Sequence, residues 1–350
     1  MAVDQTSRVL PTPGSTETEP ERSTARWLRN RFDHGYRLLT EEPLSLYATA
    51  FLRIGSGLLF MVLLVREFPH RHLIWGPEAA FTPDLARRMF DETGWFSVLT
   101  LSDDPQYFEF CYVVALLAGC LFMLGWRTRA TSLVFAVMVA SFYSRNLLIT
   151  DGGDNLAVLL AFYLCFTACG RVWSLDARRA RRREYAAFPD VPGPAGMVRR
   201  FTVTVLHNCA LLVIMAQMCI LYGSAGLYKV QGNLWADGTA LHYVLDTELF
   251  RPWPALSDFV DGHQVMIAIS CYVTVLVQVA FPFSLFSKLK YVVVGILIAM
   301  HAGIAVLLGL PLFSAVMILA DMVFLPDRFY RAAARKGSAL LRPGRATPRR

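Results

Sequence analysis

Long apolar blocks with almost no charge limit this chain more than any other feature. The first of them, 51-FLRIGSGLLFMVLLV-65, holds one ionisable residue, Arg53. A run of about 18 or more such residues reaches across a hydrocarbon layer roughly 30 Å thick. Inside that layer every backbone polar group needs an internal partner, which a helix supplies by itself. Hydrophobic residues make up 55% of the 350 and charged residues only 17%, against about 25% charged in soluble domains. These proportions exclude a soluble globular enzyme and a disordered chain. The predicted fold is an all-α integral membrane bundle of about eight transmembrane helices, near 46–66, 107–125, 130–149, 155–171, 201–223, 264–286, 290–309 and 311–325. Six or seven spans stay open, because Gly309 and Pro311 leave only a tight turn before a short last block. A polar, basic N-terminal tail (1–43) and a basic C-terminal tail (326–350) flank the membrane domain at 44–325.

The basic residues orient this bundle. With both termini cytoplasmic, inward segments hold 26 of the lysines and arginines and outward segments 7, the asymmetry that the positive-inside rule requires. Runs such as Arg178–Arg183 therefore read as topology signals beside anionic lipid, not as nucleic-acid contacts. Two outward segments, 67–106 and 224–263, are long and carry Trp, Pro and acidic residues. Function is expected at that outer surface. All seven cysteines lie in apolar blocks and none forms a CxxC pair, so neither a metal site nor a disulfide framework is indicated.

Ionisable groups at membrane depth are costly and mark candidate sites. Arg53 is one, with an internal ion pair or a snorkelling side chain as its structural alternative. Glu109 suits an interfacial role, and a lone mid-span histidine such as His301 is commonly a packed hydrogen-bonding residue. Lys229 is the most informative: the chain has four lysines, and this is the sole outward one, in 222-YGSAGLYKVQGNLWADGTAL-241. Lysine, unlike arginine, gives up its proton when desolvated, so it suits an amine base; an ordinary interfacial lysine is the alternative. In 150-TDGGDNLAVLL-160, Asp154 is placed to cap a helix, and Asp151 and Asp154 are also candidates for orienting a substrate. Phosphate-binding, serine-hydrolase and zincin motifs are absent.

FLRIGSGLLF, SRNLLITDGGDNLAVLLAFYLCF, RVWSLDARR and YGSAGLYKVQGNLWADGTAL, followed by His301, together resemble the HTTM family over roughly 44–325. That family includes the membrane part of vitamin K-dependent gamma-carboxylase. The resemblance implies that Lys229, in the matching A-G-x-x-K stretch, is the base that deprotonates a reduced, vitamin K-like quinone. The strong base then formed with oxygen takes a proton from a glutamate γ-carbon, to which carbon dioxide adds. It also implies that Arg53 and His301 shape the pocket, with Asp151, Asp154 and Trp235 at its mouth. Gly153 and Asp154 stand where the carboxylase pattern expects a histidine, and the segment 326–350 is no counterpart of its lumenal portion. Carboxylation of propeptide-bearing substrates is therefore not expected. The size resembles short bacterial members, which implies a multi-pass inner-membrane protein. Three readings follow: a quinone-dependent modifier of a peptide or small substrate, a non-catalytic factor for maturation or export of a secreted peptide toxin, and a transporter with Arg53, Glu109 and Gln278 on its path.

Overall fold

The computed structural model describes residues 30, 31, 33, 35–186 and 193–340; the expected tails at 1–29 and 341–350 lie outside the described residues. Among the described residues there are helices and no strand. The main ones are α1 (Leu46–Glu67), α2 (Pro83–Thr93), α3 (Pro105–Leu124), α4 (Thr128–Arg145), α5 (Gly152–Leu164) and α6 (Leu175–Ala186). They continue as α7 (Pro194–Val230), α8 (Ala240–Asp246), α9 (Pro254–Asp261), α10 (Gln264–Ser284), α11 (Lys290–Leu307), α12 (Pro311–Asp321) and α13 (Asp327–Leu340). Segment 326–350, expected as a tail, thus opens with a helix whose Tyr330 is buried against the bundle.

Among the described residues, five helices are long and apolar enough to cross a membrane: α1 with its continuation to Ile74, α3, α7, α10 and α11. The three other predicted spans are also helical. Of these, α5 and α12 are short apolar helices, and α4 carries Arg129, Arg145 and six hydroxyl residues. The pairs α7–α10, α11–α12, α1–α3, α3–α4 and α4–α5 pack against each other. Small residues allow the closest crossings. A Cβ on Gly57 of α1 would stand 2.9 Å from the Gly119 carbonyl of α3. One on Gly226 of α7 would stand 2.8 Å from the Val279 side chain of α10.

Two buried arginines fasten loops to this bundle. Arg53 is fully buried, and it donates to the carbonyls of Phe122 (2.7 Å), Met123, Cys169 (3.3 Å) and Trp173 (2.6 Å). A guanidinium tolerates such burial because its fork of donors is satisfied by helix-end and turn carbonyls. Gly125 (φ +67°) closes α3 beside it, and a Cβ there would lie 2.4 Å from Ser174. Arg145 donates to Phe81 (2.7 Å) and Gly76 (2.8 Å), which staples the 68–104 segment onto the bundle.

The WSLD stretch, Trp173–Asp176, completes the clasp around Arg53. The Ser174 hydroxyl accepts from the Ala177 amide at 2.8 Å, and Asp176 reaches across to the start of α4. Burial pushes the Asp176 carboxyl up, but bonds from the Thr128 amide (2.7 Å), the Thr128 hydroxyl (2.8 Å) and the Arg127 amide (3.0 Å) outweigh it and hold the group below its ordinary range. Arg127 itself, at the N-cap of α4, caps nothing. Asp176 supplies the missing acceptor from another part of the chain.

Candidate functional site

Buried polar side chains from three helices meet inside the bundle. Tyr222 of α7 stands between His301 of α11 and Asp321 of α12: its hydroxyl donates to Asp321 Oδ2 at 2.9 Å and lies 3.1 Å from His301 Nε2. All three are nearly inaccessible to solvent, as are Gln278 of α10 and Ser314 of α12. Phe281 packs against the Tyr222 ring at 5.0 Å and Phe313 against His301 at 5.7 Å. Apolar walls of this kind strengthen the hydrogen bonds they enclose and make any unmet one expensive. Several are unmet: His301 Nδ1, Asp321 Oδ1, Gln278 Oε1 and Ser314 Oγ have no protein partner. Two of these atoms, His301 Nδ1 and Asp321 Oδ1, belong to the side chains that Tyr222 joins, and a buried orphaned atom calls for a water or a ligand.

Lys229 belongs to the same helix face. Tyr222, Gly226 and Lys229 follow at steps of four and three residues, so they stack along one side of α7. Gly226 is the gap through which α10 approaches. The Lys229 side chain is half-buried; its Nζ lies 3.5 Å from the Ala225 carbonyl and 5.3 Å from the centre of the Trp235 ring. Among the described residues no carboxylate pairs with it. Trp235 comes from the short turn Asn233–Ala236 that follows α7. The fold thus sets Lys229 against Trp235, about two turns along α7 from the Tyr222 hydroxyl that meets His301.

The other three expected pocket residues stand elsewhere. Arg53, expected to shape the pocket, has its donors taken by the clasp carbonyls, and its bonds share no residue with the Tyr222 cluster. Asp151 and Asp154 form a reciprocal capping box at the start of α5: Asp151 Oδ1 accepts from the Gly153 (2.7 Å) and Asp154 (3.1 Å) amides, and Asp154 Oδ2 from the Asp151 amide (3.0 Å). Both also line a separate cavity of about 320 Å³ with Trp75, Tyr143 and Phe313. Phe313 borders that cavity and touches His301, so it is the partition between the two regions. Glu109 pairs with Arg71 (2.8 Å) and His72 (2.7 Å) at the start of the 68–104 segment.

Tyr222, Asp321 and Ser314 were not visible as site residues in the sequence, although one signal pointed to Asp321. It is the sole acidic residue of the last apolar block, 311–325, and an acid at membrane depth needs a partner. Tyr222 opens the YGSAGLYK stretch but looks like any interfacial tyrosine. Among the described residues no cluster of His, Cys, Asp and Glu is arranged to hold a metal ion.

These features define a helical membrane protein with a polar cluster enclosed among its helices. The chain belongs to the HTTM family: the HTTM domain matches residues 42–328. Among curated proteins it is similar to the uncharacterized protein YitO of Bacillus subtilis (strain 168), with 26% identity over 205 residues, 56% of this chain and 60% of that one. It is also similar to the sporulation-delaying protein SdpB of the same organism, with 27% identity over 143 residues, 41% of this chain and 40% of SdpB. The matches thus span about three fifths and two fifths of those relatives. No solved structure matches the chain.

Proposed function

We propose that this protein modifies a peptide or small substrate from within the bilayer, with the Lys229 amine as base. The observation that carries this reading is the placement of Lys229: half-buried, held among the described residues by a long carbonyl contact and an aromatic face, and on the same side of α7 as the Tyr222 that meets His301. An amine with no carboxylate to hold its proton is poised to exchange it with a substrate. Trp235 fixes the side chain over its ring face. Tyr222 and Asp321 orient His301, as the third member of a hydrogen-bonded chain orients a base.

In this reading the proton comes from a reduced quinone of the vitamin K type, for which the unpartnered Gln278 Oε1 and Asp321 Oδ1 are acceptors of the right kind and the aromatic neighbours supply apolar surface. When bound, such a quinol supplies an acidic hydroxyl and two electrons to the reaction. Gln278, His301 and Asp321 would hold it, and Lys229 would take the proton. The family match and the partial similarity to SdpB support a role in maturing a secreted peptide. In this reading the multi-pass bundle sits in the inner membrane, with the Lys229 end facing outward.

Mass spectrometry of peptides secreted by cells with and without the protein tests this. A mass increment that is absent without the protein, and falls by on the order of a hundredfold or more in Lys229→Arg, is the expected result. Arginine keeps the charge but cannot act as a neutral amine. An increment that survives Lys229→Arg overturns the base assignment, and a peptide that is retained but never altered in mass assigns the protein a non-catalytic export role.

A further inference from the structure

A large cavity, lined by none of the residues around Lys229, plays no part in that chemistry. It encloses about 980 Å³ beneath α4, α6 and the start of α7. Five arginines line it, from four separate pieces of chain: Arg129 on α4, Arg171 in the turn after α5, Arg181 on α6, and Arg199 and Arg200 on α7. Among the described residues none of the five has a carboxylate in ion-pair contact. Asp176 is the single acid in the lining, and its oxygens are already committed to the amides of Arg127 and Thr128, the Thr128 hydroxyl and, at 3.5 Å, Arg179. Partial desolvation first, and then the neighbouring guanidinia of Arg200, Arg129 and Arg199, draw the Arg171 ionisation down from its ordinary value, although all five side chains stay open to solvent. A concave surface that gathers like charges from four directions, with no paired carboxylate among the described residues, attracts anions.

The remaining lining indicates what kind of anion. Thr128 and Ser132 add hydroxyls, while Leu46, Leu164 and Val203 give one wall an apolar face on helices of the membrane bundle. Forked guanidinium donors match the oxygens of a phosphate, and basic pockets between membrane helices suit lipid headgroups. We propose that this cavity binds a phosphate-bearing anion through Arg129, Arg171, Arg181, Arg199 and Arg200. An anionic phospholipid and a soluble phosphate are its two possible sources.

The test uses the full chain in zwitterionic detergent at moderate salt, with thermal unfolding read against added ligand. Three probes are titrated: short-chain phosphatidylglycerol, short-chain phosphatidylcholine and inorganic phosphate. Phosphatidylglycerol is expected to raise Tm and phosphatidylcholine not to; a comparable rise with inorganic phosphate assigns the site to a soluble anion. The variant Arg171→Ala/Arg199→Ala/Arg200→Ala should bind the effective probe on the order of a hundredfold more weakly, at roughly fivefold per charge removed. A control with three exposed charges removed outside the cavity, Arg178→Ala/Arg182→Ala/Arg328→Ala, should weaken it by no more than about threefold. Equal losses in the two variants overturn the proposal, because binding would then be spread over the whole basic face. No rise with either anionic probe overturns it as well. Should the alanine variant not fold, Arg171→Lys/Arg199→Lys/Arg200→Lys decides in its place: keeping charge without the forked donors should weaken binding at least about threefold, and unchanged binding sinks the idea.

Discussion

Tyr222 is the side chain that ties the polar cluster together, since its one hydroxyl serves both His301 and Asp321. Tyr222→Phe removes that hydroxyl and leaves both partners buried and short of a bond, at a cost of about 1–3 kcal/mol. Thermal unfolding in detergent should show the loss, and an unchanged Tm would mean that the cluster is already held by water or a ligand. Asp321→Asn keeps an acceptor for Tyr222 and should unfold closer to the parent. At this scale the sequence was uneven. The scarcity of lysine marked Lys229, and a lone charge in an apolar run marked Arg53. Yet identical reasoning led to different ends: Arg53 is consumed by four carbonyls, while Lys229 keeps a loosely held amine. A charge in a span is a signal that something must satisfy it; only packing reveals whether backbone does so.

Among the helices, two junctions carry predictions. Gly226 sits where α7 and α10 cross, and Gly226→Val would drive side-chain atoms into the Val279 backbone and side chain. Overpacking of this kind costs about 1–3 kcal/mol, and folded yield by size-exclusion chromatography should fall in step. Asp176→Asn weakens the cap on α4 by about 1–2 kcal/mol. Because the folded Asp176 carboxyl is held below its ordinary range, its contribution is complete above about pH 4 and fades as pH drops through the folded value. The Tm gap between parent and Asp176→Asn should therefore shrink from pH 6 towards pH 3, and a constant gap would show that the charge is not what caps the helix. The helices themselves were legible in the sequence, since each apolar block became one. What escaped it was length against depth: α5 and α12 are too short, and α4 too polar, to be counted as crossings by composition. The WSLD stretch was recognisable as a family mark, but its job as a clasp between α4, α6 and Arg53 depends on residues far away in the chain.

For the whole molecule, the distribution of basic residues predicts cytoplasmic termini and an even number of crossings. Alkaline phosphatase fusions after Asp104 and Asp261 should be active, and fusions after Arg127, Arg183 and Ser287 inactive; activity after Arg183 would force a different topology. The sequence by itself determined an apolar helical protein of the HTTM family, because hydropathy and charge act locally and are additive along a chain. It also placed Lys229, His301 and Trp235 on the list of residues worth finding. Tertiary structure alone decided that Lys229 meets Trp235, that Tyr222 and Asp321 join His301, and that Arg53 instead holds a clasp. Its arrangement of α4, α6 and α7 also gathers five arginines around one cavity. The physical reason is that hydrogen bonds and fields between side chains depend on distances in space, and in a bundle those distances are set by helix crossings that bring together residues as much as 280 positions apart.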